Sequence, residues 1–343
     1  MTPALRLDLD RDALVSNWRW LERQGGRAAC GAAIKADGYG LGARGVLDRL
    51  AEAGCRDFFV ATWDEAERLG ALPPGLSLAV LHGVRDADMA IALEGAARPV
   101  LNSAAQVRRW KPSGRPCDVM IDTGMNRLGL TPDEARSGLL DGLVIDTLMS
   151  HLACADEPAH ALNEQQLFQF RGLKGAIPAR RYSLANSAGI CFGARYVFNL
   201  TRPGIALYGG IQRAEAQGNI SAVVQPMTEV LQLRDVPEGA AIGYGATFRA
   251  TAPMRVAILN LGYADGYLRC FAGHGRVLAG EIPCPVLGRV SMDLIAVDVS
   301  GADVTEGDWL KVDYDLLAAS ASTGLSQYEL LTGLGSRYQR RWV

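Results

Sequence analysis

From Asp10 to about Tyr208 the chain repeats one pattern, a short apolar run followed by a stretch with helical spacing. A strand buried on both faces reads as a continuous apolar run, whereas an amphipathic helix spaces its apolar residues by three or four. On that basis strands are predicted at 31–35, 57–61, 76–81, 99–101, 117–122, 144–149, 181–184 and 198–200, with helices at 12–22 and 164–174 among those between. About eight such units in succession favour an α/β chain that begins with a (β/α)8 TIM-like barrel. Beyond residue 220 the pattern changes. Short strands at 227–233, 255–259, 295–299 and 309–312 are separated by Gly, Pro and Asp, and helical spacing returns only at 328–334. A C-terminal all-β domain is therefore expected, with boundaries 8–219 and 220–343 and with residues 1–7 pairing with the second part. A chain of 343 residues holds two domains at about 150 residues each.

Composition excludes several function classes. The net charge of -2 and the absence of like-charged blocks argue against a nucleic-acid or membrane partner and for a small-molecule substrate. Seven dispersed cysteines with no C-x-x-C pair read as reduced thiols. His82, His151, His160 and His274 form no ligand-spaced cluster, so no metal site is expected. Arg6, Asp8, Asp10, Arg11 and Asp12 interrupt any apolar leader, and no run approaches the ~20 residues of a membrane span, so a cytoplasmic protein is expected.

A barrel of this type places its chemistry at the C-terminal ends of the strands. Here those ends carry Lys35, His82, Asn102, Asp122, His151, Asn186 and Arg202. Lys35 closes the run Gly31-Ala-Ala-Ile-Lys35 and is followed by Ala-Asp-Gly-Tyr39-Gly-Leu-Gly. An ammonium beside an apolar wall loses hydration and its pKa falls, so the neutral amine becomes available for a Schiff base with a carbonyl such as that of pyridoxal phosphate. Gly40-Leu-Gly42-Ala-Arg-Gly45 also fits G-x-G-x-x-G, with Asp64 about twenty residues on. Its glycines stand four residues beyond Lys35 rather than directly after the strand, which disfavours a nicotinamide site.

Ala33-Ile-Lys35-Ala-Asp-Gly-Tyr39-Gly-Leu-Gly resembles the cofactor-lysine signature of the alanine racemase family. The similarity continues through Ile121-Asp-Thr-Gly-Met-Asn-Arg127-Leu-Gly129, Ser150-His151-Leu-Ala-Cys-Ala-Asp156, Ala185-Asn186-Ser187 and Arg202-Pro-Gly204-Ile205. It resumes in Gly243-Tyr244-Gly, Gly262-Tyr263-Ala-Asp-Gly and Gly288-Arg289-Val-Ser-Met292-Asp293. The resemblance implies a barrel plus β-domain and pyridoxal 5'-phosphate as cofactor. It makes Lys35 the holder of the cofactor as an internal aldimine, with freed Lys35 and Tyr244 as acid/base groups on opposite faces of the substrate α-carbon. It assigns Arg202 to the pyridine nitrogen with His151 beside it and Asn186 as support. It gives the phosphate to Tyr39, Ser187, the backbone N–H groups of Gly204 and Ile205, and Tyr328. It gives the substrate carboxylate to Arg127 and the Met292 N–H, and an access corridor to Asp156, Tyr263, Arg269 and Arg289. The implied activity interconverts L- and D-alanine, supplying D-alanine for peptidoglycan, in a homodimer whose sites combine two chains. A broad-specificity or serine racemase is the alternative.

Two positions depart from the family. Many members carry a carbamylated lysine seven residues before the substrate arginine, where this chain has Met120. Asp122, on the same strand face by two-residue alternation, or a bound anion is the expected partial substitute. Ser183 stands where a histidine often lies, which is expected to weaken the support of Arg202.

Overall fold

The computed structural model describes residues 3–343 and divides into two units, Leu14–Ser221 and the N-terminal segment through Ala13 together with Ala222–Val343. The barrel boundary expected at residue 8 falls instead at Leu14, because the strand Leu5–Leu9 pairs antiparallel with Val224–Val236. Residues 1 and 2, part of the segment expected to pair with the β-domain, lie outside the described residues.

In Leu14–Ser221 a parallel sheet runs in chain order through Ala32–Ala33, Asp57–Val60, Ser77–Val80, Arg98–Leu101, Cys117–Met120, Ile145–Met149 and Arg181–Ser183. Leu200–Thr201 closes the ring. It pairs with Ala29–Cys30, Gly31 N donates to Thr201 O at 3.0 Å, and on its other side Asn199 N donates to Tyr182 O at 3.0 Å. The eight strands expected from the apolar runs are thus present, and their residues are almost all buried, as a sheet covered on both faces requires. Gly31 sits at the closing seam for a steric reason. A Cβ there would stand 2.8 Å from Asp57 O and 2.9 Å from the Phe59 ring.

The end of the barrel opposite the strand C-termini is built from charge. Asp57, Ser77, Arg98, Asp118, Asp146 and Arg181 occupy the first or second positions of their strands. Arg181 donates to Asp57 at 2.9 and 2.7 Å and to Asp146 at 2.8 Å, while Arg98 donates to Ser77 at 2.8 Å and lies 3.2 Å from Asp146 and 3.4 Å from Asp118. Asp118 is fully buried; one oxygen accepts from Thr147 N at 3.0 Å and the other has no partner.

In the second unit, the long strand Val224–Val236 pairs at its start with Leu5–Leu9 and Trp309–Val312 and, beyond a bulge at Val230/Gln232, with Met254–Leu259. The ladder returns through Ile295–Asp298, Ile282–Leu287 and Arg276–Ala279 to Trp309–Val312, so six antiparallel strands close on themselves. The bulge lets one strand serve both ends of the ring. Arg276–Ala279 and Ile282–Leu287 escaped the sequence reading because Gly280, Pro283 and Pro285 break the β pattern. Both prolines fall where their strand has a single neighbour, so the missing N–H removes no second ladder bond.

Burial pushes the Asp118 carboxyl up to about 6, against roughly 3.9 in an unfolded chain. Because the folded value is the higher, stability held by the protonated form is present below about pH 4 and lost as pH rises through about 6. Asp118→Asn keeps an acceptor for Thr147 N and carries no charge. Its unfolding free energy relative to wild type should rise by roughly 2 kcal/mol between pH 4 and pH 7 in urea titrations. A difference that stays constant over this range would remove the burial penalty from the account.

Candidate active site

In the barrel, the strand ends at Ala33, and Lys35, one residue beyond Ile34, opens a turn of unusual hand. Ala36, Asp37, Gly38 and Tyr39 follow with φ of 52°, 52°, 63° and 56°, a left-handed turn closed by Gly38 N to Ile34 O at 2.8 Å and Gly40 N to Ala36 O at 2.9 Å. Three of these four residues carry a Cβ, at a cost of about 1–2 kcal/mol each. Such strain persists only where the surroundings over-determine it. Here Glu65 Oε1 accepts from Ala36 N at 2.7 Å, Asp37 Oδ1 accepts from Ala43 N at 2.8 Å, and the buried Tyr39 ring stacks on Tyr208 at 4.6 Å.

Lys35 is half-buried. Desolvation is the main force lowering its pKa, the Arg127 charge adds to it, and Glu65 opposes it. His151 is pushed down to about 3 by desolvation, then by Arg202, Arg127 and Lys35, so the ring is neutral near pH 7. Arg202 is buried, and desolvation brings it to about 10, which leaves it protonated near pH 7. The sequence-predicted Lys35, Arg127, His151 and Arg202 therefore share one electrostatic neighbourhood. At the position where weaker support of Arg202 is expected, Ser183 Oγ accepts from Arg202 Nη1 and donates to Leu200 O. Arg202 Nη2 donates to Ser150 O.

The Arg127 loop is held from below. Burial works to raise the Asp122 carboxyl, but donation from the backbone N–H groups of Gly124, Arg127, Asn126 and Met125 outweighs it and holds the group below the ordinary carboxylate range. Asp122 is therefore spent on the loop backbone and does not pair with the Arg127 guanidinium, which has no carboxylate partner among the described residues. Met120 is buried. Gln166, which sequence reasoning did not single out, is fully buried and donates to Thr123 Oγ1 at 3.3 Å and to His151 O at 2.9 Å, joining the Arg127 loop to the His151 loop.

Beside this cluster, Ser187 Oγ accepts from the N–H groups of Gly204 at 2.9 Å and Ala206 at 3.3 Å. Ile205 N–H begins a short helical turn, where no intrahelical acceptor exists. Asn186 caps the next turn, its Oδ1 accepting from Gly189 N at 2.8 Å. A Cβ on Gly204 would collide with the Tyr39 hydroxyl, so the backbone here is open because the residue is glycine. Hydroxyls of Tyr39 and Ser187 with the backbone N–H groups that open the Ile205 turn, beside a lysine and two arginines, fit a phosphorylated carbonyl cofactor such as pyridoxal phosphate. Asp156 is exposed on the loop after Ile145–Met149.

In the β-unit, Tyr244 lies at the tip of the hairpin formed by Ala241–Ile242 and Phe248–Arg249 and is 73% exposed. Ile242 and Phe248 anchor this hairpin on Val256, Leu287, Met254 and Ala296. Arg289 packs 3.3 Å from the position of a Cβ on Gly245. Met292 accepts through its carbonyl from Ala264 N at 3.0 Å, Tyr263 N donates to Ser291 O at 3.0 Å, and the Arg269 guanidinium lies 5.3 Å from the Tyr263 ring centre. Tyr263, Arg269 and Met292 thus share one surface. Tyr328 lies apart in sequence, on the helix Gln327–Thr332.

Comparison with known proteins gives one family. Residues 9–212 match "Alanine racemase, N-terminal domain" and residues 223–342 match "Alanine racemase, C-terminal domain". The chain is 44% identical to the alanine racemase of Jannaschia sp., with 97% of both chains covered. It is 40% identical to the catabolic alanine racemase of Agrobacterium fabrum, covering 98% of this chain and 92% of that one. Among solved structures, alanine racemase from Bartonella henselae with covalently bound pyridoxal phosphate superposes with a TM-score of 0.92 at 32% identity, both chains fully covered.

Gly204→Ala tests the cradle. The added methyl meets the Tyr39 hydroxyl and should weaken pyridoxal phosphate retention about tenfold or more, roughly 1.4 kcal/mol. Equilibrium dialysis followed by visible absorbance measures this, with circular dichroism to show that the barrel is intact. Undiminished retention would separate Gly204 from the phosphate.

Proposed function

The chain belongs to the alanine racemase family, pyridoxal-phosphate-dependent enzymes that interconvert L- and D-alanine, and we propose that Lys35 and Tyr244 divide the proton transfers of that reaction between them. When bound, the cofactor supplies an electron sink that acidifies the α-C–H of the amino acid joined to it. Inversion at a stereocentre by proton exchange needs an acid/base group on each face. Lys35 Nζ takes or returns the proton on one face, and desolvation and the Arg127 charge, which lower its pKa, favour release of its proton. Tyr244 Oη serves the other. Arg202, protonated and buried, offers N–H donation without readily giving up its proton, while His151 stays neutral beside it. Tyr39, Ser187, Gly204, Ile205 and Tyr328 hold the phosphate, and Asn186 fixes the adjoining turn. Arg127 and the Met292 N–H take the substrate carboxylate. Asp156, Tyr263, Arg269 and Arg289 line the approach.

The observation that carries this reading is the half-buried, pKa-lowered Lys35 among Arg127, His151 and Arg202 beside the Gly204 cradle. Seven unpaired cysteines support a reducing compartment, the cytoplasm, where D-alanine serves peptidoglycan synthesis. No helix among the described residues is long and apolar enough to cross a membrane.

Tyr244 and Met292, at 73% and 53% exposure, lie on a surface that a second copy would cover. We therefore place Lys35 of one chain with Tyr244 of the other in a homodimer with two composite sites.

Two experiments test this reading. Borohydride reduction of the holoenzyme should abolish its visible absorption band and leave one cofactor-derived label on Lys35 by peptide mass spectrometry; a label on another lysine overturns the assignment. Mixing inactive Lys35→Ala chains with inactive Tyr244→Phe chains should partly restore racemisation, because each heterodimer contains one intact site. With subunit exchange shown independently, absence of recovery places both groups in one chain.

A further inference from the structure

The left-handed turn after Lys35 needs something to hold its first N–H, and the structure shows what does. Glu65 lies in the helix Trp63–Arg68, one strand along the barrel from Lys35. Its Oε1 accepts from Ala36 N at 2.7 Å and its Oε2 from Ala61 N at 2.6 Å, and Oε2 also lies 3.4 Å from Thr62 N. A glutamate at this helix position ordinarily closes a capping box with the residue three before it. That bond is present but is the longest of the three. The two short ones join the residue after Lys35 to the end of the neighbouring strand Asp57–Val60.

We propose that Glu65 is a positioning residue for Lys35: its carboxylate, bridging the N–H groups of Ala36 and Ala61, pins the strained turn that aims the amine. The inference rests on Lys35 being the reactive amine. Ala36 and Asp37 are exposed at positive φ; Asp37 is tied through its Oδ1 to Ala43 N, whereas Ala36 N is held by Glu65. Bonds inside the turn begin only with Gly38 N, so they leave Ala36 N to an outside acceptor. The carboxylate also supplies the negative charge acting on Lys35, whose other charged or titratable neighbours are Arg127 and His151.

The test uses Glu65→Gln, which keeps one acceptor oxygen but turns an amide NH2 toward a second donor, and Thr62→Ala, which removes only the hydroxyl of the helix cap. Amide hydrogen exchange is followed in the peptide spanning residues 36–42 of the cofactor-free protein, together with the rate at which trinitrobenzenesulfonate labels Lys35 across pH. In Glu65→Gln, exchange of this segment should rise at least about tenfold and the midpoint of Lys35 reactivity should fall, while Thr62→Ala leaves both within about twofold of wild type. Ala36→Gly in the Glu65→Gln background should return exchange toward wild type, because glycine adopts positive φ without the penalty. Unchanged exchange in Glu65→Gln, or an increase matched by Thr62→Ala, overturns the proposal. If Glu65→Gln does not fold, folding restored by Ala36→Gly supports the proposal and continued failure overturns it. Wild-type Lys35 labelled no differently from an ordinary surface lysine would instead sink the functional reading on which the inference rests.

Discussion

Four nitrogen bases crowd the strand ends of the barrel, and their mutual repulsion governs what that site can be. Lys35, Arg127, His151 and Arg202 lie close enough for Lys35 and both arginines to depress His151. Burial, together with the positive surroundings, lowers the pKa of both the lysine and the histidine. The barrel supplies little relief. Glu65 acts on Lys35, and Asp118, from the charged layer at the other strand ends, acts on Arg202. The remaining positive potential calls for anions brought from outside. A phosphate and a carboxylate answer that demand, and a substrate bearing both its own carboxylate and a phosphorylated cofactor would be held by the field as well as by hydrogen bonds.

The same crowding explains why polar side chains around the site are spent on backbone. Asp122 gives its charge to the N–H groups of the 124–127 loop. Asn102 donates to Leu81 O and Val100 O, and Gln166 ties two loops together. Loops that display cations without carboxylate partners must be fixed by other means. Backbone hydrogen bonds fix them without quenching the charge they present.

This division sets what could be read from the sequence. The eight barrel strands are legible because parallel strands buried on both faces leave contiguous apolar runs, and Lys35, His151 and Arg202 are legible because they end such runs. Glu65 and Gln166 are not. Their partners lie up to 43 residues away, and nothing in the residue type distinguishes a carboxylate that holds a strained turn from one that caps a helix. Glu65 does both. The part played by Ser183 is hidden for a related reason: only the fold shows its hydroxyl between Leu200 O and a buried guanidinium that cannot be left unpaired. In the β-unit the prolines of Ile282–Leu287 hide a strand that only the ring closure makes reasonable.

Rigidity is distributed unevenly between the two proposed proton-transfer groups. Lys35 stands on a turn that is strained, capped and stacked, so its backbone has few alternatives. Tyr244 stands on a hairpin whose anchoring is apolar, through Ile242 and Phe248, and whose tip turns on Gly243 and Gly245 at φ of 74° with Ala246 at 49°. Its ring has solvent around most of its surface, whereas the polar groups near Lys35 are largely fixed. Under the proposed pairing, a surface that covers the hairpin would exclude this water and bring Tyr244 into a setting as ordered as that of Lys35.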